Sequence, residues 1–386
     1  MKKKKLLLIF SFITVFLFSI FILPPMDDKN VSAASKVDFW SGDFKYRVKP
    51  NKTLMVIASK DKAVLRIPSK VKYKNKTYKV TIIESYSTMR RKGKKNEVKK
   101  VILPSTIKTI KNSLMGNAKF ISVSKKNKYF SSSRGILFDK KKKTLLAVPK
   151  NTTIKNYTVP KSVTKIGKRS FLDVKTLEKV TIPKNVKKID DFAFAGSKIR
   201  SIKMTNGLKK IGEHAFGSCR NLKSLKLPNS IIHIGVDVIQ NTPIKTINIP
   251  KSLKKIPNEA FYLSELTSIK IPNNIKIIGK YAFQGSKLES IVIPKNVKTI
   301  DKKAFAYTPI SKITFEKGSK LRKLDAYVFG GCKNLKSVKI PSSIKSIHNQ
   351  AFYKYNFDYS DFLIYGKKGT EAEKFAKRNN ITFKVY

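Results

Sequence analysis

Residues able to do acid–base, nucleophilic or metal chemistry are few and scattered in this chain. The histidines are His214, His233 and His348, and none has a cysteine or carboxylate at the spacing of a metal site. The acidic pair Asp190-Asp191 has lysines nearby in the sequence, which indicates local ion pairs. No glycine-rich phosphate loop and no Gly-x-Ser-x-Gly motif occurs. We therefore expect the histidines to be tolerated surface variants and the protein to be neither an enzyme nor dependent on a metal or cofactor.

Lysine is the one chemical group that this chain places at regular intervals. The sequence has 83 basic and 24 acidic residues, a formal net charge of +59. Such an excess favours anionic polymers or surfaces as partners. Lysines recur in phase in two series, and these are the candidate polyanion-binding residues. The first series is Lys187, Lys209, Lys254, Lys276, Lys298 and Lys345, and the second is Lys203, Lys226, Lys270 and Lys339.

The segments that must position these lysines are copies of one repeat. The stretch LKSVKIPSSIKSIHNQAF at 335–352 represents the template L-x-S-I-x-I-P-x-S-I-K-x-I-x-x-x-A-F. Its closing aromatic residue recurs every 22 to 24 residues, with Ile239 in the one gap. Repetition at this period is typical of a solenoid. The aromatic positions are Phe171, Phe194, Phe216, Phe261, Phe283, Phe305, Phe329 and Phe352.

Within each copy, the pattern predicts two short extended segments and a closing turn. The alternation in L-x-S-I-x-I indicates a strand with one buried face, which the proline ends because it has no N–H to donate. The segment S-[VIL]-K-x-I carries the first lysine series. The phenylalanines should stack into a spine through the core. Lysines on neighbouring coils would then lie about 5 Å apart and repel each other by nearly 1 kcal/mol even in water.

The N-terminus has the features of an export signal. Lys2 to Lys5 form a basic region, an apolar run extends from Leu6 to Leu23, and small residues follow at 31–34. We expect residues 1–33 to be a cleavable signal peptide, with an uncleaved membrane anchor as the alternative because the apolar run is long enough to span a bilayer. In either case the remainder is exported.

The rest of the chain divides into a solenoid and two caps. We expect an N-terminal β cap with a degenerate repeat at 34–97, repeats at 98–352 with a hairpin interruption near 121–149, and a C-terminal cap at 353–386. In that last segment, a strand at 362–365, a helix opened by a capping box at 370–373 and a strand at 381–385 predict a β-α-β arrangement.

The two cysteines are expected to be buried turn residues and not a disulfide. Cys219 and Cys332 occupy the same template position five repeats apart. Strands stacked at about 4.8 Å would separate them by roughly 24 Å, well beyond the roughly 7 Å limit for a disulfide.

The template, for instance LESIVIPKNVKTIDKKAF at 288–305, resembles the BspA-like leucine-rich repeat family. The resemblance covers residues 98 to 386, and the I-P, K-x-I and A-F elements recur in phase. It implies a right-handed solenoid on secreted or surface-attached bacterial proteins, often concerned with adhesion or host contact. The family supplies no catalytic residues.

We therefore predict an all-β dominated, leucine-rich-repeat-like solenoid of coils of about 22–23 residues. Its predicted function is non-catalytic binding or adhesion at the bacterial cell surface. The expected partners of this monomer are anionic envelope polymers, host glycosaminoglycan or protein ligands, but no specific nucleic acid, and the membrane only through an uncleaved N-terminal segment. The alternative is a structural or protein-recruitment scaffold whose lysines only keep the solenoid soluble.

Overall fold

A computed structural model describes residues 37–60, 62–84, 98–111, 118–354 and 360–386. The predicted signal peptide or anchor at 1–33 lies outside the described residues. From Asp38 to Tyr386 the described chain forms one unit, and it is a β solenoid of about 14 turns. The predicted fold class is confirmed.

The chain begins with a mixed sheet that covers the first coil. Its strands pair in the order β1-β2-β3-β6-β5, and β3 and β6 are the parallel pair within that order. Strand β4 leaves this sheet and starts a ladder of the solenoid. The ranges are β1 Asp38–Ser41, β2 Phe44–Lys49, β3 Thr53–Ser59, β4 Val64–Arg66, β5 Lys70–Tyr73 and β6 Lys76–Ile83.

The first strand of each repeat contributes to a parallel long-strand ladder on one side of the solenoid. Exposed and buried residues alternate along these strands, as in Ser290–Ile293, because successive side chains point to opposite faces. The ladder comprises β7 Lys100–Leu103, β9 Phe120–Val123, β13 Asn156–Thr158, β15 Lys179–Ile182, β17 Ser201–Met204, β20 Thr246–Asn248, β22 Ser268–Lys270, β24 Ser290–Ile293, β26 Lys312–Phe315 and β28 Ser337–Lys339.

A second parallel ladder, the short-strand ladder, runs along the neighbouring side. Each member has two residues, the second of them an isoleucine or leucine that points inward. The equivalent strand β8 (Thr109–Ile110) pairs in parallel with β6 of the N-terminal sheet. The members of the ladder are β14 Lys165–Ile166, β16 Lys188–Ile189, β18 Lys210–Ile211, β19 His233–Ile234, β21 Lys255–Ile256, β23 Ile277–Ile278, β25 Thr299–Ile300, β27 Lys323–Leu324 and β29 Ser346–Ile347.

The predicted hairpin interruption is present and joins the short-strand ladder. Antiparallel strands β10 (Phe130–Ser133), β11 (Ile136–Asp139) and β12 (Thr144–Ala147) follow one another, with Lys140 to Lys143 at the tip between β11 and β12. Because β12 pairs in parallel with β14, the hairpin continues directly into the repeats.

The third side of each coil is a tight turn ending in the template's closing Ala-Phe or its equivalent. The residue before that pair has a positive φ of 48° to 59° in eight consecutive repeats. This left-handed backbone lets the turn donate N–H groups to the next coil, as from Phe171 to the carbonyl of Ala193 at 2.7 Å. We call these eight residues the turn column. They are Arg169, Phe192, His214, Asp237, Glu259, Tyr281, Lys303 and Tyr327.

The phenylalanines that follow the turn column stack into the predicted spine. Neighbouring ring centroids lie 4.5 to 5.7 Å apart, and the rings are nearly parallel. Ile239 fills the gap between Phe216 and Phe261 and is fully buried. Each coil therefore buries its apolar residues only by resting on its neighbours.

The C-terminal segment has the predicted β-α-β order. Strands β30 (Leu363–Gly366) and β31 (Thr382–Val385) extend the long-strand ladder, and helix α1 (Glu371–Arg378) packs its buried residues on the last repeat. The capping-box prediction is wrong in both halves, because the N–H of the N-cap residue Thr370 donates to the carbonyl of Lys367 and not to Glu373. Glu373 accepts a hydrogen bond from the N–H of Gly369, but the Thr370 hydroxyl donates to the carbonyl of Lys367 and does not cap the helix.

The cysteines are buried and free, as predicted. The thiol of Cys219 donates to the carbonyl of Phe194 at 3.1 Å, and that of Cys332 donates to the carbonyl of Phe305 at 3.3 Å. Burial raises the pKa of the Cys219 thiol to about 12 and that of Cys332 to about 11. Both thiols therefore serve as hydrogen-bond donors inside the turns.

Candidate polyanion-binding surface

The first lysine series lies in one line on the short-strand side. Each member stands immediately before a short strand and is exposed. The N–H of Lys209 donates to the carbonyl of Lys187 at 2.9 Å, and the same bond joins neighbouring coils further along the series. Lys187 and Lys209 are therefore separated by one strand spacing of about 4.8 Å, as are Lys254, Lys276 and Lys298 in turn. Ile232 occupies the coil between Lys209 and Lys254 and interrupts the line of charge. We call Lys187, Lys209, Lys254, Lys276, Lys298 and Lys345 the lysine column.

Two basic residues of this line were not recognised in the sequence. The N–H of Lys345 donates to the carbonyl of Arg322 at 2.8 Å, which places Arg322 in the column's register. At the other end, the N–H of Thr164 donates to the carbonyl of Lys143 at 2.8 Å. Arg322 follows the leucine of KLRKL in a repeat of slightly greater length, and that alignment could have revealed it. Lys143 belongs to the hairpin, where the template does not apply.

In the described chain, the lysine column lacks ion pairs, whereas three of the basic residues one position further along have them and Lys210 and Lys255 do not. Among the described residues, none of its six ammonium groups lies within 4.0 Å of a carboxylate. One position further along the chain, Lys165 and Lys188 contact Asp190 at 2.7 and 2.6 Å, and Lys323 contacts Asp325 at 3.6 Å. Although burial acts in the opposite direction, the hydrogen bonds from Lys165 and Lys188 lower the pKa of Asp190.

The second lysine series is exposed on the long-strand ladder but does not form a continuous row. Lys203 pairs in register with Thr181, Lys270 with Asn248 and Lys339 with Tyr365. The Lys339 ammonium lies 3.6 Å from the centroid of the Tyr386 ring. Lys226 follows the isolated bridge between Leu225 and Ile247. Neutral side chains such as Asn248 therefore interrupt this series, although Lys203 and Lys226 hold the same template position on consecutive coils. The four lysines form a more dilute cationic surface than the lysine column.

His214 contradicts the expectation that all three histidines are surface variants. Its ring stacks on that of Phe192 with centroids 4.8 Å apart, and its Nε2 lies 3.6 Å from Oδ2 of Asp237. The reason is the left-handed turn, which aligns residues that are 22 or 23 positions apart in the sequence. His233 and His348 are exposed.

The contact between His214 and Asp237 is held in an environment that disfavours charge. Asp237 is only 6% exposed, and its Oδ1 has no hydrogen-bond partner among the described residues. Burial, with the nearby Glu259 and Glu213, raises the pKa of Asp237 to about 7. Burial also lowers the pKa of His214. Near neutral pH this contact is therefore not a full ion pair.

The described residues contain no group of three or more His, Cys, Asp or Glu side chains that could hold a metal ion. Within the same ranges, no helix has the length and apolar character needed to cross a membrane.

The chain belongs to the family described as "BspA type Leucine rich repeat region". The family model occurs in 6 copies and matches residues 147–266 and 254–381. Membership of this family suggests binding at a cell surface, and leucine-rich repeat proteins of this kind are typically non-enzymatic. A search of curated proteins returns no match.

The chain is also similar to solved structures of leucine-rich repeat proteins. A leucine-rich cell surface protein from Faecalibacterium prausnitzii is 17% identical, with 92% of this chain and 96% of that chain covered and a TM-score of 0.43. A leucine-rich repeat protein from Bacteroides ovatus is 22% identical, with 91% and 100% covered and a TM-score of 0.43. The pneumococcal vaccine antigen PcpA is 16% identical, with 91% and 99% covered and a TM-score of 0.33.

Proposed function

We propose that this protein is an exported, non-catalytic binding protein of the bacterial cell surface that holds anionic polymers on its lysine column. The observation that carries the proposal is that none of the column's six ammonium groups contacts a carboxylate in the described chain, while Lys165, Lys188 and Lys323 beside it contact aspartates. If the lysines served only to keep the protein soluble, a mixture of basic and acidic residues would serve that purpose equally well.

Neighbouring ammonium groups of the lysine column repel each other. Two ammonium groups one strand spacing apart repel by nearly 1 kcal/mol in water before salt screens them. A polymer that carries an anionic group per unit neutralises several of these charges at once and relieves that repulsion. Host glycosaminoglycan and the anionic polymers of a cell envelope both have this chemistry.

The test separates a specific surface from the effect of net charge. One variant replaces the six residues of the lysine column by glutamine. The matched control replaces six exposed lysines of the N-terminal sheet by glutamine and so removes the same charge. Binding to purified cell walls, with and without their teichoic acid, is measured over a salt series. The control lysines are Lys60, Lys70, Lys72, Lys74, Lys76 and Lys79.

We expect the column variant to lose at least about tenfold in affinity and the control variant much less, with wild-type binding weakened by salt. Equal losses in both variants would show that net charge alone is responsible. Binding that resists high salt and survives in the column variant would instead favour a protein partner on the long-strand ladder, where Ser268 and Ser290 are exposed.

A further inference from the structure

The turn column changes its chemical character along the solenoid. In its middle, Asp237 and Glu259 stand in the column, and Glu213 precedes His214. From Tyr281 onward, the column consists of tyrosine and lysine. We call this last part, Tyr281, Lys303 and Tyr327 with their neighbours Lys280 and Tyr307, the aromatic section.

The ammonium groups of the aromatic section rest against tyrosine rings. The Nζ of Lys303 lies 5.9 Å from the ring centroid of Tyr281 and 5.3 Å from that of Tyr327, on the coils before and after it. The Nζ of Lys280 lies 4.7 Å from the Tyr281 centroid. Contacts of this kind hold a cation in place without neutralising it, because the ring contributes only a quadrupole. These ammonium groups remain available to an anion.

Tyr307 adds a flat, open ring to this surface. It is 54% exposed, and its backbone is left-handed with a φ of 57°. The ring lies over Gly331 of the next coil, where an added Cβ would come within 2.5 Å of the ring. Because Gly331 has no side chain, the Tyr307 ring can pack directly against the next coil. An exposed aromatic face of this kind suits a ligand with a flat apolar face.

Charge limits where a polyanion can lie along the turn column. Glu213, Asp237 and Glu259 would repel it from the middle coils. Near the aromatic section, the carboxylate of Asp325 contacts Lys323 at 3.6 Å, and Asp301 is half-buried at the end of its short strand. Lys276 and Lys298 of the lysine column lie on these same coils, so the two surfaces can be reached by one extended chain.

We propose that the aromatic section binds the sugar rings of an anionic polysaccharide. The C–H groups of a pyranose face would rest on the electron-rich faces of the tyrosines, and the acid groups would meet Lys280 and Lys303. The inference rests on the proposed function and narrows its ligand from any polyanion to a glycan.

The test compares two polyanions that differ in having sugar rings. Binding of the purified protein to heparin and to inorganic polyphosphate is measured at the same ionic strength. The variants are Tyr307→Ala, the double variant Tyr307→Ala with Tyr327→Ala, and the double variant in which both become phenylalanine. Tyr129→Ala is the matched control because Tyr129 is 46% exposed and lies far away in the sequence near the hairpin.

We expect Tyr307→Ala to weaken heparin binding by about three- to tenfold, the double alanine variant to weaken it further, and polyphosphate binding to be unchanged. The phenylalanine variants and Tyr129→Ala should bind heparin like the wild type. Undiminished heparin binding by the double alanine variant would overturn the inference, as would an equal loss for both polymers. A different result would contradict the proposed function: both polymers would bind unchanged when the lysine column is replaced by glutamine.

Discussion

The lysine column and the turn column run along the same coils but are built in opposite ways. The lysine column repeats one residue type on most of its coils, backbone hydrogen bonds join those members that lie on adjacent coils, and their side chains lack ion pairs in the described chain. In the turn column the residue type changes on almost every coil, yet neighbouring side chains contact each other. The guanidinium of Arg169 lies 5.5 Å from the Phe192 ring centroid, Phe192 stacks on His214, and His214 meets Asp237.

The difference shows how a regular backbone can support two kinds of surface. A column of like charges without carboxylate partners is stabilised when an outside anion binds and relieves the repulsion. A column of mixed aromatic and charged groups satisfies itself over short stretches, and its binding properties change from one end to the other. The predictions below test whether these two surfaces are independent.

The largest effect is expected from the phenylalanine spine that both columns share. Phe283 is fully buried between Phe261 and Phe305, whose ring centroids lie 5.3 and 5.1 Å away. Phe283→Ala should lower the free energy of unfolding by about 3–5 kcal/mol because it leaves a cavity in the stack. Urea unfolding measures this change. Phe120→Ala is the control, since Phe120 is 41% exposed and should cost much less. Similar costs for both variants would mean that the spine is not a stabilising core.

The next effect concerns the buried carboxyl of the turn column. The pKa of Asp237 is about 7 in the folded protein against an ordinary value of 3.8. Between these values the folded state holds the extra proton, so the stability linked to Asp237 is greatest below pH 4 and is lost as pH rises through about 7. Asp237→Asn should therefore stabilise the protein at pH 8, by on the order of a few kcal/mol, and progressively less toward pH 4.

Thermal or urea unfolding across pH 4 to 8 checks this second prediction. Glu265→Gln is the control because Glu265 is an exposed carboxylate that contacts Lys245 at 3.4 Å. If Asp237→Asn changes the free energy of unfolding by the same amount at every pH, burial does not raise the pKa of the Asp237 carboxyl. The buried Asp237 would then fit the turn column as well as its other members do.

The smallest effect is expected from the lysine column in the absence of ligand. Replacing its six lysines by glutamine removes repulsion between neighbours, so the free energy of unfolding should rise by less than about 1 kcal/mol per neighbouring pair at low salt. The gain should vanish as salt increases, because screening already weakens the repulsion. A loss of stability at low salt would indicate that the lysines make favourable contacts within the fold, and the unpaired character of the column would be refuted.

Much of the architecture follows from the amino-acid sequence alone. The period of 22 to 24 residues determined the solenoid. The alternation within each first strand determined the direction of its side chains, and the recurring phenylalanine determined the spine. The lysine column was also predictable, because a residue that keeps its place in a repeat keeps its place on a coil. Arg322 and Lys143 were missed where a longer repeat and the hairpin shift that register.

The contacts between unlike residues on successive coils were decided only by the tertiary structure. Nothing in the sequence near His214 indicates Phe192 or Asp237, and nothing near Tyr307 indicates that Gly331 leaves room for its ring. The repeat register relates the positions of Phe192, His214 and Asp237, but their residue types differ, so the register alone does not indicate what contacts they make. The left-handed turn determines which side chain meets which, and burial then sets their protonation. The sequence thus determined the coil and its lysine column, whereas stacking determined the chemistry of the turn column.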